Sequence, residues 1–222
     1  MEKKHKLLHI VDMQNSFMAN DGKLSIKNAD AIIPLTNNFF NKLSQNFFDV
    51  VIYTQDTHFE EEYELSEEAK SFPLHCEYGS KDWEMAINVA SIKTKELYKI
   101  YKNVFDVWDD SHINQNPILP EHKEAYSKLY NILSKNDEVI EKSLKALLKK
   151  YSPKNTDVYI IGVASDYCNR YALNGYLKLG YKVFIIEELT KGILKETSDV
   201  IAEDFYKYYA VEVIKLSNIF SN

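Results

Sequence analysis

Cys168 stands where a thiol can act as a nucleophile. It follows an apolar run over residues 158–163 and the turn Ala164-Ser165-Asp166-Tyr167, and it opens a helical pattern over residues 167–179. A thiol at a helix N-terminus sees the positive end of the dipole and unpaired backbone N–H groups. Both favour the thiolate, and the same N–H groups can receive an oxyanion. Taken alone, Cys168 reads equally as a buried structural cysteine, because free cysteines are commonly buried.

Other strand ends carry complementary groups. Asp12 closes an apolar run, where a carboxylate is costly unless paired. By itself it reads as a cap or a structural ion pair. Lys102 ends another run and would hold Asp12 ionised and steady a thiolate; Lys99 is the rival for that role. Asp56-Thr57-His58 and the later Pro73-Leu74-His75-Cys76 supply two imidazoles and a carboxylate. That donor set suits one divalent ion, zinc foremost, with iron or manganese as alternatives. A fourth ligand would come from Glu60, Glu61, Glu62, Glu64, Glu67 or Glu68, a stretch that otherwise reads as a solvated acidic loop. Cys76, as the immediate neighbour of His75, is expected to point elsewhere.

The elements that must position these groups are short apolar strands alternating with helical patterns. Strands are expected over residues 7–11, 50–54, 97–101, 158–163, 183–186 and 211–214, most of them apolar on both faces. Helical patterns cover 29–47, 121–134, 138–151, 167–179 and 198–208. The alternation predicts an α/β fold, a three-layer αβα sandwich around a mainly parallel sheet of roughly six strands. Open α/β sheets place their sites at the carboxyl ends of the strands, so Asp12, Asp56, His58, Lys102 and Cys168 would share one edge. The whole chain, 1–222, reads as one domain. Residues 109–137 read either as an insertion that covers a site or docks a second subunit, or as a solvated connection.

Composition narrows the function classes. The chain has 222 residues, 45% hydrophobic and 27% charged, enough for a sizeable core. A net charge of −6 speaks against nucleic-acid partners. No apolar stretch is long enough for a membrane span. The two cysteines read as free thiols of a reducing compartment, so a cytoplasmic protein is expected. With six glycines, and no G-x-G-x-x-G, Walker loop or G-x-S-x-G, dinucleotide enzymes, P-loop NTPases and typical serine esterases are poor readings.

The four motifs together resemble the isochorismatase-like cysteine hydrolases, and among these the nicotinamidases. Leu8-His9-Ile10-Val11-Asp12-Met13-Gln14-Asn15-Ser16-Phe17 is similar to the opening of that family. Thr54-Gln55-Asp56-Thr57-His58 and Pro73-Leu74-His75-Cys76-Glu77-Tyr78-Gly79-Ser80 are similar to its metal motifs, and Gly162-Val163-Ala164-Ser165-Asp166-Tyr167-Cys168 to its nucleophile motif. The resemblance implies a catalytic triad of Asp12, Lys102 and Cys168, and a metal held by Asp56, His58 and His75. It further implies a cis peptide joining Val163 to Ala164, and an oxyanion site formed by the N–H groups of Ala164 and Cys168. The implied activity is hydrolysis of nicotinamide to nicotinate and ammonia through a thioester, a step of NAD salvage, in a chain that self-associates. Thr57 and Phe59 depart from the family, which often has an aromatic and a proline there. The ring sandwiching the substrate would then come from Phe17, Phe105 or Trp108, in a pocket completed by Val163, Ala164 and Tyr167. These departures keep open a second substrate class, an N-carbamoyl, ureido or other small amide. A non-catalytic metal-binding protein is the third reading.

Overall fold

The computed structural model describes residues 4–108, 120–208 and 210–220. Strand β1 (His5–Val11) leads into a short helix α1 (Asn15–Met18), and α2 (Ile32–Lys42) precedes β2 (Val50–Asp56). Helix α3 (Glu60–Tyr63) and a long connection lead to β3 (Glu96–Lys102). Next come α4 (Lys123–Ser127), β4 (Ile132–Leu133), β5 (Val139–Glu141) and α5 (Leu144–Leu147). The last third alternates regularly: β6 (Thr156–Val163), α6 (Cys168–Lys178), β7 (Lys182–Lys191), α7 (Thr197–Val200), β8 (Val211–Ile214) and α8 (Leu216–Phe220).

One sheet of eight strands runs through the molecule in the order β5-β4-β3-β2-β1-β6-β7-β8. The six expected strands are its parallel part. The two further strands, β4 and β5, pair antiparallel at one edge. They correct the expected number of six. Ile132 and Leu133 were read within a helical pattern, but they bury opposite faces. Ile132 joins the core beneath α5 and Leu133 joins a cluster around Phe59 and Tyr101. A period of two is a strand property.

The alternation of buried residues on the parallel strands accounts for the layers. Leu7, Val11, Ile52, Ile160 and Val183 face Leu144 and Leu147 of α5, Ala172, Leu173 and Tyr176 of α6, and Val200 of α7. Leu8, Ile10, Val51, Ile161 and Ile186 face Ile32, Phe39 and Phe40 of α2 and Ile219 of α8. Both faces are covered, which is why these strands are apolar throughout.

The helical patterns were read too long. The 29–47 pattern yields a 3-10 turn and then α2, which stops at Lys42 where Leu43 becomes extended, and Asn46 then turns the chain through a left-handed φ of 57° toward β2. The 138–151 pattern holds edge strand β5 before Ser143, whose hydroxyl caps α5 by accepting the Ala146 N–H. The 198–208 pattern is α7 followed by a π turn over Ile201–Phe205. Of the segment read as a lid or docking element, residues 109–119 lie outside the described residues. Residues 120–137 contribute α4 and β4, and Ala125, Leu129 and Tyr130 pack with Phe59 and Tyr101.

The chain reverses its direction of winding across the sheet at β1, with β2 on one side and β6 on the other. Such a switch point opens a crevice at the carboxyl ends of the strands. The closeness of β1 and β6 there depends on Gly162, whose φ is +117° and where a Cβ would lie 2.0 Å from the Val11 carbonyl oxygen. Gly162→Ala is therefore expected to lower stability by about 3 kcal/mol through overpacking and backbone strain. Urea unfolding checks this, and an unchanged midpoint would show that the two strands can part without cost.

Candidate active site

Asp12, Asp56 and Lys102 arrive together because β1, β2 and β3 are in parallel register. Asp56 pairs directly with Lys102 across β2 and β3, and Asp12 follows the last residue of β1. Asp12 adopts a left-handed φ of 47°, and its N–H donates to Thr54 Oγ1 at 3.2 Å. The Lys102 ammonium lies 2.8 Å from Asp12 Oδ2 and 3.2 Å from Asp56 Oδ1, and its Nζ donates to Cys168 Sγ at 3.5 Å. Asp12 is 0% exposed, Lys102 1% and Cys168 6%. Lys99, the rival lysine, instead pairs with Asp137 at 2.7 Å.

Burial determines the protonation of this group. Burial alone would lower the Lys102 pKa, but the carboxylates of Asp12 and Asp56 carry it well above the ordinary lysine value. The Cys168 thiol is pushed well above its ordinary value, first by burial and then by the charges of Asp12 and Asp56, against the opposing pull of Lys102. This corrects the expectation of a thiolate favoured by the helix terminus. Burial and the carboxylates favour the neutral thiol here.

The peptide bond between Val163 and Ala164 is cis. Neither the Ala164 nor the Cys168 backbone N–H has an acceptor among the described residues.

Beside the triad, Asp56, His58, Glu68 and His75 present one donor atom each within 4.8 Å of one another. Glu68 is the one acidic residue of the 60–68 stretch that joins the three expected ligands. Glu62 instead accepts from Asn103 Nδ2 at 2.7 Å, and Glu67 pairs with Lys70. Cys76 turns into the core under a left-handed φ of 46°. The atoms fit a metal ion. Asp56 Oδ1 faces Lys102, while Asp56 Oδ2, His58 Nε2 and Glu68 Oε1 are buried without a hydrogen-bond partner among the described residues. The spacings from His75 Nε2 to Asp56 and Glu68 are 3.4 and 3.5 Å, and those from His58 Nε2 are 3.5 and 3.8 Å. A tetrahedron with bonds of 2.0–2.1 Å has edges of about 3.4 Å. His75 Nδ1 faces the Pro73 carbonyl at 2.8 Å, so it carries the proton and leaves the Nε2 lone pair free. Burial lowers the His58 pKa and keeps the ring neutral, as a ligand must be. Burial, with the Asp56 charge, pushes the Glu68 carboxyl up to about 8.

The two groups open onto one small cavity, about 280 Å³ counted with its mouth. Of the residues expected to bind substrate, Phe17, Phe105, Ala164 and Tyr167 line it, together with Cys168, Asp56, Glu68 and His75. Val163 does not reach it and lies in the core beneath. Trp108 does not reach it either. Its indole packs on Tyr176, donates to the Ala172 carbonyl at 3.3 Å and covers Gly175, where a Cβ would sit 2.0 Å from Nε1. Phe72, Leu24 and Ile193 complete the wall and were not anticipated. Phe72 immediately precedes the Pro73-Leu74-His75 motif, a signal that was available. Ile193 carries none, since it arrives from the loop after β7. Tyr63 was also missed. Its ring lies edge-on to His58 at 4.6 Å, and its hydroxyl donates to the Phe72 and Pro73 carbonyls. The Thr57 side chain meets no substrate wall; its hydroxyl accepts the Trp83 indole N–H at 2.9 Å.

This order of strands and placement of the site define a class, the fold of the isochorismatase-like hydrolases. A hydrolase so described from Alkaliphilus metalliredigens superposes with a TM-score of 0.64 over 97% of both chains, at 16% identity. The pyrazinamidase of Pyrococcus horikoshii, in complex with zinc, superposes with a TM-score of 0.65 at 21% identity, covering 95% of this chain and 99% of that one. In sequence, the chain is similar to the nicotinamidase of Schizosaccharomyces pombe, 27% identical over 90% of this chain and 89% of the relative. No family model matches the chain.

The cluster predicts its own pH dependence. Glu68 must lose a proton to ligate, so zinc affinity should rise as pH rises toward about 8 and level off above it. Glu68→Gln should weaken zinc binding by at least about tenfold and flatten that rise. Calorimetric titration at several pH values checks both, and an affinity indifferent to Glu68→Gln would remove Glu68 from the ligand set.

Proposed function

We propose that this chain is a single-domain amidase that hydrolyses nicotinamide to nicotinate and ammonia through a thioester on Cys168. The observation that carries the reading is the convergence of a thiol, a carboxylate and an ammonium with a four-donor metal cluster, of which Cys168, Asp56, Glu68 and His75 line one small aromatic cavity. The nicotinamidase relative supports the substrate.

Asp12 takes the thiol proton as Cys168 Sγ attacks the carboxamide carbon. The negative charge passes from sulfur to the carbonyl oxygen, where the N–H groups of Ala164 and Cys168 receive it. Asp12 then returns the proton to the leaving ammonia, and the C–N bond breaks. The same carboxylate activates a water against the thioester, which releases nicotinate and restores the thiol. Because the resting thiol is held protonated, the first transfer depends on Asp12. Lys102 stays charged throughout and offsets the carboxylates. Asp56, His58, Glu68 and His75 would hold a divalent ion, zinc on the donor spacing. When bound, this ion supplies a Lewis acid that orients the pyridine ring. Phe17, Phe72, Phe105 and Tyr167 enclose the ring.

The N-carbamoyl alternative fits the wall less well. An N-carbamoyl amino acid brings a carboxylate, and the cavity sets Asp56 and Glu68 against it, with no lysine or arginine among the described lining residues. A cytoplasmic, self-associating enzyme of NAD salvage accords with the reaction proposed.

Ammonia release from nicotinamide by zinc-loaded protein tests the function. Cys168→Ala and Asp12→Asn are each expected to lower kcat by at least about 1000-fold, and chelation should abolish release until zinc is restored. Unimpaired release by Cys168→Ala would exclude the thioester route. No release by the loaded wild type would exclude nicotinamide.

A further inference from the structure

Asn169 follows the nucleophile on the first turn of α6 and is 4% exposed. Its Nδ2 donates to the Gly162 carbonyl at 2.8 Å, and its backbone N–H donates to the Ala164 carbonyl at 3.1 Å. One residue thus holds the two carbonyls on either side of Val163. The orientation of the amide follows from its partner, since Oδ1 in place of Nδ2 would set two acceptors face to face. Oδ1 has no hydrogen-bond partner among the described residues and borders a small recess shared with Ser165 and Thr197. Gly162 lies where the register of β6 on β7 slips, between Ile160 and Gly162. At this end of the strand the Asn169 side chain supplies a tie to α6.

We propose that Asn169 is a positioning residue for the oxyanion site, fixing the Ala164 N–H relative to the Cys168 N–H. The peptide that carries the Ala164 N–H lies between two others, one made of the Gly162 carbonyl and the Val163 N–H and one made of the Ala164 carbonyl and the Ser165 N–H. Peptide units are rigid planes, so holding both neighbours to the start of α6 limits the rotation of the middle one. Donors aimed at an oxyanion act through their exact placement, and displacement by about 1 Å can cost about 100-fold in rate. The proposal rests on the reading of Cys168 as nucleophile and of these two N–H groups as oxyanion donors.

Two reactions of Cys168 test it. With p-nitrophenyl acetate, the sulfur attacks the acetyl carbon, the carbonyl oxygen becomes an oxyanion, and the bond to p-nitrophenolate breaks to leave an acetyl thioester. With iodoacetamide, the sulfur displaces iodide at a saturated carbon and no oxyanion forms. Asn169→Leu removes the donor at similar size without adding a buried charge, and Asn169→Val serves if the leucine variant does not fold. Acylation should slow by at least about tenfold in each folded variant, while alkylation stays within about twofold of wild type. With nicotinamide, kcat should fall with little change in KM. A general loosening of the helix start would slow both reactions alike. That result, unchanged acylation, or a wild type alkylated but not acylated would each overturn the proposal. Neither reagent depends on the natural amide. A wild type that is acylated but ignores nicotinamide would therefore reject the substrate reading and leave the role of Asn169 to the comparison of rates.

Discussion

The ammonium of Lys102 lies between the carboxylates of Asp12 and Asp56, and the rest of the site depends on that arrangement. Three charges are buried at the ends of three neighbouring strands. Removing one member of such a group typically costs about 3–5 kcal/mol, because a charge is then left buried without a partner. The parallel register of β1, β2 and β3 is what brings the three together. The same lysine belongs to both halves of the site. Asp12 is its partner toward Cys168, and Asp56 its partner toward the metal cluster. Cys168 and the cluster of Asp56, His58, Glu68 and His75 therefore share one electrostatic scaffold and cannot be placed independently.

That scaffold leaves a surplus of negative charge. Asp12, Asp56 and Glu68 face one ammonium and an imidazole, His58, that burial keeps neutral. A protein with this cluster either keeps a proton on Glu68 or offers the surplus to a dication. The surrounding hydrogen bonds hold the donors ready. Gln14 Oε1 accepts the Asp56 N–H at 2.7 Å while its Nε2 donates to the Asp56 carbonyl at 2.8 Å. Tyr63 supports the loop that carries His75. Helix α3, which carries Tyr63, is in turn tied to the end of β3 through the hydrogen bond from Asn103 to Glu62, and Tyr130 donates to the same asparagine.

The aromatic residues are distributed in a way that accounts for the two departures from the family pattern. The Thr57 hydroxyl oxygen accepts the indole N–H of Trp83, which packs with Tyr78 and Tyr101 away from the cavity. Phe59 enters the cluster built by α4 and β4. The cavity wall is made instead by Phe72, Phe105 and Tyr167, whose rings touch edge-on or tilted at 5.4–6.1 Å. Such pairs are rigid and add to the apolar burial of each ring, so the walls are set by contacts among themselves before any ligand enters.

The parallel strands were legible in the sequence because each is apolar on both faces, and a doubly covered strand has few other ways to satisfy its pattern. The clustering of Asp12, Lys102 and Cys168, and of Asp56, His58 and His75, was legible because their residue types fall at strand ends and in motifs that resemble a known family. Sequence by itself therefore determined the α/β class, the parallel strands and the shared edge. It could not decide among six glutamates for the fourth donor, since an exposed and a buried carboxylate look alike until α3 and the loop behind it are folded; only Glu68 then faces both histidines. It offered Trp108, with Phe17 and Phe105, in place of the aromatic that the resembling family has at Thr57, whereas packing on Tyr176 and Gly175 draws the Trp108 ring under α6. It favoured a thiolate at Cys168 from the helix terminus and a neighbouring lysine. The tertiary structure reversed this, because burial and two neighbouring carboxylates outweigh a single lysine and raise the pKa of the thiol. Long-range proximity decided these points, and proximity is the property that local pattern does not carry.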